Sequence, residues 1–264
     1  MGKYAEMKMR VFAGQKPSDV AVMNADDPLV IGRSSSLKSR LVTFTINDDA
    51  ARDVFVSGGY LCLKTMTGEI VKIVRSSEIG IIGLHNLSNA AAALALTYFA
   101  FGVSAESIAA TLKKFRGVHH RLELVATFNG VSYYNDSKAT NEDSAVVALK
   151  SFSTPLLLIA GGSDKGSDFR AFAGQVVKSN VKKVFVIGQV REKIVKALAD
   201  AGFHSAQILG TIEECVEEAS KEATAGDTIL LSPACASLDM FKNYEQRGDA
   251  FVTAVKRVGE VSSK

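Results

Sequence analysis

Between residues 155 and 231 the chain repeats one rhythm. A short, almost wholly apolar run is followed by a stretch of helical periodicity, and the pair then recurs. The runs are PLLLIAGG from Pro155, KVFVIG from Lys183, AQILG from Ala206 and TILLSPA from Thr228. Amphipathic stretches over Ser144–Phe152, Phe169–Lys178, Arg191–Ala201, Ile212–Ala223 and Asn243–Val258 predict helices around them. A strand with no polar alternation is buried on both faces, and strands alternating with helices pair in parallel. The C-terminal part is therefore expected to be a Rossmann-like α/β domain with a mostly parallel sheet. Ligands of such sheets bind at the carboxyl ends of the strands, where AGGSDKGSD and SPACAS lie. Just upstream, LELVATFNGVSYYND reads as two strands about Asn129-Gly130, a dipeptide suited to a two-residue hairpin turn.

The N-terminal part reads differently. YAEMKMRVFAG has apolar residues at helical spacing, with Gly14 as a stop. Val20–Met23 and RLVTFTI predict short strands, and VFVSGGYLCLKTMTGEIVKIV, with its Gly-Gly and Thr-Gly turns, predicts a meander. GLHNLSNAAAALALTYFAFG is a strong helix with Asn86 or Ser88 near its cap, and a second helix runs from Ser104 to Gly117. The boundary between two domains is expected at RGVHHR, giving 1–117 and 118–264.

Hydrophobic residues make up 47% of the 264 and charged residues 22%, enough apolar mass for globular cores. A net charge of +3 with scattered Lys and Arg gives no reason to expect a nucleic-acid partner. No run reaches the ~18 apolar residues of a membrane helix. Three widely spaced cysteines, Cys62, Cys215 and Cys235, form no zinc motif and suit a reducing compartment. A soluble, cytoplasmic, monomeric protein is the expectation.

Three segments carry candidate chemistry. NDSKATN ends a strand with Asp136, Ser137, Lys138 and Thr140 together, more polar groups than a turn requires. A lysine there would neutralise an anion and an aspartate would hold a ribose or a metal-bound water. A surface ion pair within a turn is the plainer alternative. In GGSDKGSD the Gly161 to Gly166 spacing imitates a P-loop, but Ser167 and Asp168 stand where Lys and Ser/Thr belong. Lys165 is there either a mobile ligand cation or a solvated turn lysine. In SPACASLDMFKNYEQRG, small residues followed by Ser237 open space for a carboxylate at a helix start, or simply cap that helix. No Ser-His-Asp or paired-carboxylate arrangement can be assembled.

YAEMKMRVF, VMNADDP, GLHNLSNAAAALAL, GVHHRLE, YYNDSKATN, LIAGGSDKG and LLSPACASLDMFKNYEQRG, in this order, resemble the Mur ligases of peptidoglycan synthesis over nearly the whole chain. The last motif is most similar to the D-glutamate-adding branch. The resemblance implies the second half of an ATPase domain followed by an amino-acid-binding domain. It implies ATP-dependent amide formation: the carboxylate of UDP-N-acetylmuramoyl-L-alanine is phosphorylated and the acyl phosphate is attacked by the amine of D-glutamate. It further implies ATP contacts at Asn86, Asn89, Arg121 and Asp136. D-Glutamate would be held by Lys138, Thr140, Lys165, Ser237, Leu238 and Tyr244, with Tyr244 standing where the family often has Phe. Lys8 matches a carbamylated lysine of the family, which as an anion would bind Mg²⁺, and with Lys138 it completes the implied catalytic set.

The family's Walker A loop and UDP-binding domain have no counterpart in the sequence. The resemblance therefore implies a portion of the ligase with no turnover of its own. A non-catalytic module for a nucleotide or an acidic amino acid, or a sister ligase for another amino acid, are the alternatives.

Overall fold

The computed structural model describes residues 2–164 and 166–262, without the side chains of 261 and 262. The chain divides into two compact units, Met1–Arg116 and Gly117–Lys264.

The first unit has the elements α1 (Gly2–Met9), β1 (Val20–Asn24), α2 (Pro28–Ile31), β2 (Arg40–Phe44), β3 (Val54–Ser57), β4 (Tyr60–Lys64), β5 (Ile70–Arg75), α3 (Leu84–Phe101) and α4 (Ala105–Lys114). Its five strands lie in sequence order. β1, β2 and β3 pair in parallel, while β3, β4 and β5 form the antiparallel meander. The β3–β4 turn falls on Gly58 and Gly59, both at positive φ, which glycine adopts without a steric penalty. α3 lays Ala90, Ala91, Leu94 and Ala95 on Val42, Phe44, Val54, Leu61 and Leu63. The alanines let the helix axis approach the strands closely.

Local sequence chemistry sets several boundaries in this unit. α3 starts after Gly83, at φ 96°, so Asn86 lies in its first turn rather than at its cap. α4 stops at Lys114, short of the expected Gly117, because Phe115 is already extended. α2 was not foreseen, although Asp27 accepts the Leu29 and Val30 N–H groups and Pro28 opens the helix. α1 buries none of its residues.

The second unit contains β6 (Glu123–Phe128), β7 (Val131–Asn135), α5 (Glu142–Leu149), β8 (Leu156–Gly161), α6 (Arg170–Lys178), β9 (Val181–Ile187), α7 (Arg191–Asp200), β10 (Ala206–Ile208), α8 (Ile212–Glu222), β11 (Thr228–Leu231) and α9 (Tyr244–Ser262). The sheet order is β10-β9-β8-β11-β7-β6, all parallel except the hairpin strand β6. Every residue of β8 and β11 is buried, which is why these strands read as unbroken apolar runs. α8 and α9 close one face, with Cys215, Val216, Phe251 and Val255 against Leu157, Ile159, Phe185 and Ile229. The alternate residues Leu156, Leu158, Val184, Val186 and Leu230 are equally buried on the other face. There α7 packs on β9, and α5, α6 and α7 pack on one another in turn. Fully burying one such side chain contributes about 1.5–3 kcal/mol. Among the described residues no helix is long and apolar enough to cross a membrane.

Candidate active site

β7, β8 and β11 are neighbours whose carboxyl ends release three loops side by side: Asp136–Asn141, Gly162–Asp168 and Ser232–Asn243. From β8 the chain steps outward to β9 and β10, while β11 and β7 lie on its other side. The three loops thus sit at the switch point of the sheet, where ligands of doubly wound folds bind.

Two glycines set how closely the loops approach. A Cβ on Gly161, at φ 116°, would lie 2.0 Å from the Ile187 carbonyl oxygen. One on Gly162, at φ 146°, would lie 2.1 Å from that of Ala236. Only glycine fits at either place, and the Ser163 N–H consequently reaches the Ala236 carbonyl at 2.9 Å.

Beneath the loops lies a polar interior. The Asn135 amide donates to His120 Nδ1 at 2.9 Å and accepts from the Ser137 N–H at 3.1 Å, which leaves the His120 ring proton on Nε2. Asp136 turns inward: it is 5% exposed and accepts the Ser232 hydroxyl at 2.9 Å and the Leu122 N–H at 3.3 Å. Burial pushes its carboxyl up to about 7, against the lowering effect of Ser232, Leu122, Arg121 and Arg247. Arg247 is 1% exposed and donates to Ser137, Gly161, Cys235 and Ala236. Burial holds this guanidinium down, at about 10.

The outward groups are of another kind. The Lys138 ammonium stands 4.0 Å from the centroid of the Tyr244 ring, a cation–π contact that orients the charge without neutralising it. No carboxylate among the described residues pairs with it. The Thr140 and Ser237 hydroxyls and the Ser237 and Leu238 N–H groups likewise have no partner among the described residues. The Leu238 side chain itself is exposed. Glu245 lies within electrostatic reach of Lys138 without pairing to it, and a cation, two hydroxyls and backbone donors together suit an anionic ligand such as a carboxylate.

The remaining candidates fall elsewhere. Arg121 is exposed at the start of the second unit. Lys165 lies outside the described residues. Asn86, Asn89 and Lys8 belong to the first unit. Asn86 is buried, donating to the Ile82 carbonyl at 2.7 Å and accepting from Asn89 at 3.3 Å. Lys8 is exposed, with its ammonium 5.4 Å from the Tyr4 ring centroid. Among the described residues no three His, Cys, Asp or Glu side chains gather as a metal site. Sequence reasoning did not single out Arg247, although one signal was available: it stands one helical turn before Phe251, on the buried stripe of α9.

Family models match both units. The Mur ligase middle domain matches residues 1–97, and the Mur ligase glutamate ligase domain matches residues 120–235. The chain belongs to the Mur ligase family. A UDP-N-acetylmuramoylalanine–D-glutamate ligase of Pelotomaculum thermopropionicum is 46% identical over 251 residues, 95% of this chain and 54% of that protein. The enzyme of the same name from Thermoanaerobacter sp. is 42% identical over 254 residues, 96% of this chain and 55% of the relative. The chain thus spans about half the length of the curated relatives it matches. Among solved structures, the D-alanyl-D-alanyl-adding Mur ligase of Acinetobacter baumannii superposes with a TM-score of 0.67 at 16% identity, covering 96% of this chain and 54% of that one. UDP-N-acetylmuramate–alanine ligase of Thermotoga maritima gives 0.65 at 16% identity, covering 97% and 55%. These likenesses establish the Mur ligase fold.

Proposed function

We propose that this Mur ligase chain forms part of the enzyme that adds D-glutamate to UDP-N-acetylmuramoyl-L-alanine, a cytoplasmic reaction, and that its second unit holds the incoming amino acid. The observation that carries the reading is the unpaired donor set of Lys138, Thr140, Ser237 and Leu238 at adjoining strand ends. The identity of more than 40% to ligases of that name supports D-glutamate over another amino acid.

In this reading Lys138, steadied by Tyr244, and the Thr140 hydroxyl meet one carboxylate of D-glutamate. Ser237 and the Leu238 N–H meet its other polar end, and Lys165, which lies outside the described residues, is the further cation that the family resemblance implies for this ligand. Fixing both ends of the molecule aims its amine, which is how orientation lowers a bimolecular barrier. ATP, when bound, supplies the phosphoryl group that activates the acceptor carboxylate. Within the second unit Arg121, exposed and cationic, fits a phosphate; within the first, Asn89 is exposed, with its NH2 on Asn86 and its carboxamide oxygen left for a nucleotide base. Both Asp136 oxygens are engaged by Ser232 and Leu122, so Asp136 fits as the support under the 120–122 turn rather than as a direct ligand. Asn86 fits as a brace for Asn89. Lys8 is exposed, and the carbamate that the family resemblance implies for it would supply oxygen ligands for Mg²⁺.

Calorimetry of the 264-residue chain with D-glutamate, using L-glutamate as the control, tests the reading. Stereoselective binding that Lys138→Ala abolishes is the expected result. Equal binding of both enantiomers, or binding indifferent to Lys138→Ala, would overturn it.

A further inference from the structure

Among the described residues Arg247 is the largest of the fully buried side chains, yet none of them offers it an acidic partner within salt-bridge reach. All its donors are used on neutral acceptors. Nε donates to Ser137 Oγ at 3.0 Å. Nη1 is shared between the Gly161 carbonyl at 3.5 Å and that of Ala236 at 3.3 Å. Nη2 reaches the Ser137 carbonyl at 2.8 Å and the Cys235 carbonyl at 3.0 Å. One planar fork thus binds the ends of β7, β8 and β11 at once. A lysine ammonium has no such fixed fork.

Two of these carbonyls stand at particular places in the chain. The Ser137 carbonyl belongs to the peptide that precedes Lys138, and the Ala236 carbonyl to the peptide that precedes Ser237. In a trans peptide the N–H points opposite to the C=O. Drawing the Ala236 oxygen inward therefore turns the Ser237 N–H away from the guanidinium, toward the side where the unpaired donors lie. The Ser137–Lys138 peptide is pinned from both ends, since the Lys138 N–H donates to the His120 carbonyl at 2.9 Å. Ser137 Oγ passes the restraint on by donating to the Tyr244 carbonyl at 2.7 Å, at the residue whose ring carries Lys138.

We infer that Arg247 is the positioning residue of the amino-acid site, setting the register of the Lys138, Ser237 and Tyr244 segments through their backbone while touching no ligand itself. No carboxylate of the described residues closes an ion pair with it, although Asp136 and Asp239 lie within electrostatic reach, so its positive charge beneath the loops is only partly offset. A buried ammonium or guanidinium without a paired carboxylate favours an anion above it. The inference rests on the functional reading just given for what the ligand is, but not for what Arg247 holds in place.

The test is Arg247→Lys in the full chain, which keeps the charge and removes the fork. Ser137→Ala is the second variant: it removes the Nε acceptor together with the Ser137 Oγ bond to the Tyr244 carbonyl, leaves the guanidinium and its other acceptors in place, and puts less strain on folding. Backbone amide exchange at Lys138, Gly161 and Ser163, whose N–H groups close the three loops, is measured together with calorimetric D-glutamate affinity. The expected result is faster exchange at these three amides in both variants, unchanged exchange in β9 and α8, and an affinity at least tenfold weaker in Arg247→Lys. Unchanged exchange at the loop amides, or acceleration spread evenly over the second unit with affinity falling only as the folded fraction falls, would overturn the inference. If the unmodified chain binds no D-glutamate, the functional reading fails by itself, and the exchange pattern, which needs no ligand, still decides the role of Arg247.

Discussion

Ser232 donates its hydroxyl to a carboxylate oxygen of Asp136 at 2.9 Å, joining the end of β11 to the end of β7 inside the second unit. Burial raises Asp136 from 3.8 to about 7 despite this bond. A carboxyl whose folded value lies above its unfolded one stabilises the fold most when protonated. That contribution is complete below about pH 4 and disappears as pH rises through about 7. Roughly 3 kcal/mol of it is lost between about pH 5 and pH 8. Asp136→Asn, permanently neutral, will therefore gain stability relative to the parent as pH rises across that window. Urea unfolding at a series of pH values checks this, and parallel curves for the two proteins would contradict it.

Gly248 faces His120 so closely that an added Cβ would lie 2.2 Å from Nδ1. The ring cannot easily yield, because Asn135 holds Nδ1 at 2.9 Å. Gly248→Ala is expected to cost about 1–3 kcal/mol, as overpacked core sites do. Gly174→Ala, in α6 with nothing within 4 Å of the new methyl, is expected to gain about 0.5–1 kcal/mol. Denaturant midpoints of the two variants should thus move in opposite directions.

The three cysteines are all free and buried. Burial pushes the Cys235 thiol up to about 12 and raises Cys62 and Cys215 as well. Since the thiolate is the reactive form, a disulfide reagent at neutral pH should label the native chain only on the timescale of its unfolding. It should label all three thiols at once in denaturant. A rapidly labelled cysteine in the native chain would show that one of these sites opens.

Tyr244 holds Lys138 by its ring, not its hydroxyl. Tyr244→Phe is expected to leave D-glutamate affinity within about twofold, and Tyr244→Ala to weaken it several-fold, as loss of a cation–π contact of about 0.5–1 kcal/mol or more implies. Titration of both variants distinguishes this from a hydroxyl contact, which Tyr244→Phe would already remove.

The sequence revealed most where one physical demand dominates a segment. A parallel strand buried on both faces has to be apolar throughout, so β8 and β11 were legible, as was the Asn129-Gly130 turn, with both residues at positive φ. Helix starts set by a single cap were less so. α5 begins at Glu142 because Asn141 accepts the Ser144 N–H, two residues before the apolar pattern begins. Within the site, Lys138, Ser237 and Tyr244 advertise themselves by residue type, whereas the direction in which a side chain faces does not. Asp136 reads as an exposed acid in a polar loop and is buried. Arg247 reads as one more charge on a terminal helix, because its acceptors are backbone carbonyls, which every residue carries and no sequence distinguishes.

The middle of the second sheet is the last of its strands to be made. β11 lies between β7 and β8 and hydrogen-bonds to both. During vectorial synthesis those two strands emerge early with their inner edges open, and nothing upstream in the unit can close them. Exposed strand edges are the hazard that nascent chains present to one another. Thr228–Leu231 is thus the segment that joins the two halves of the sheet, and it brings Ser232 and the floor of the site with it.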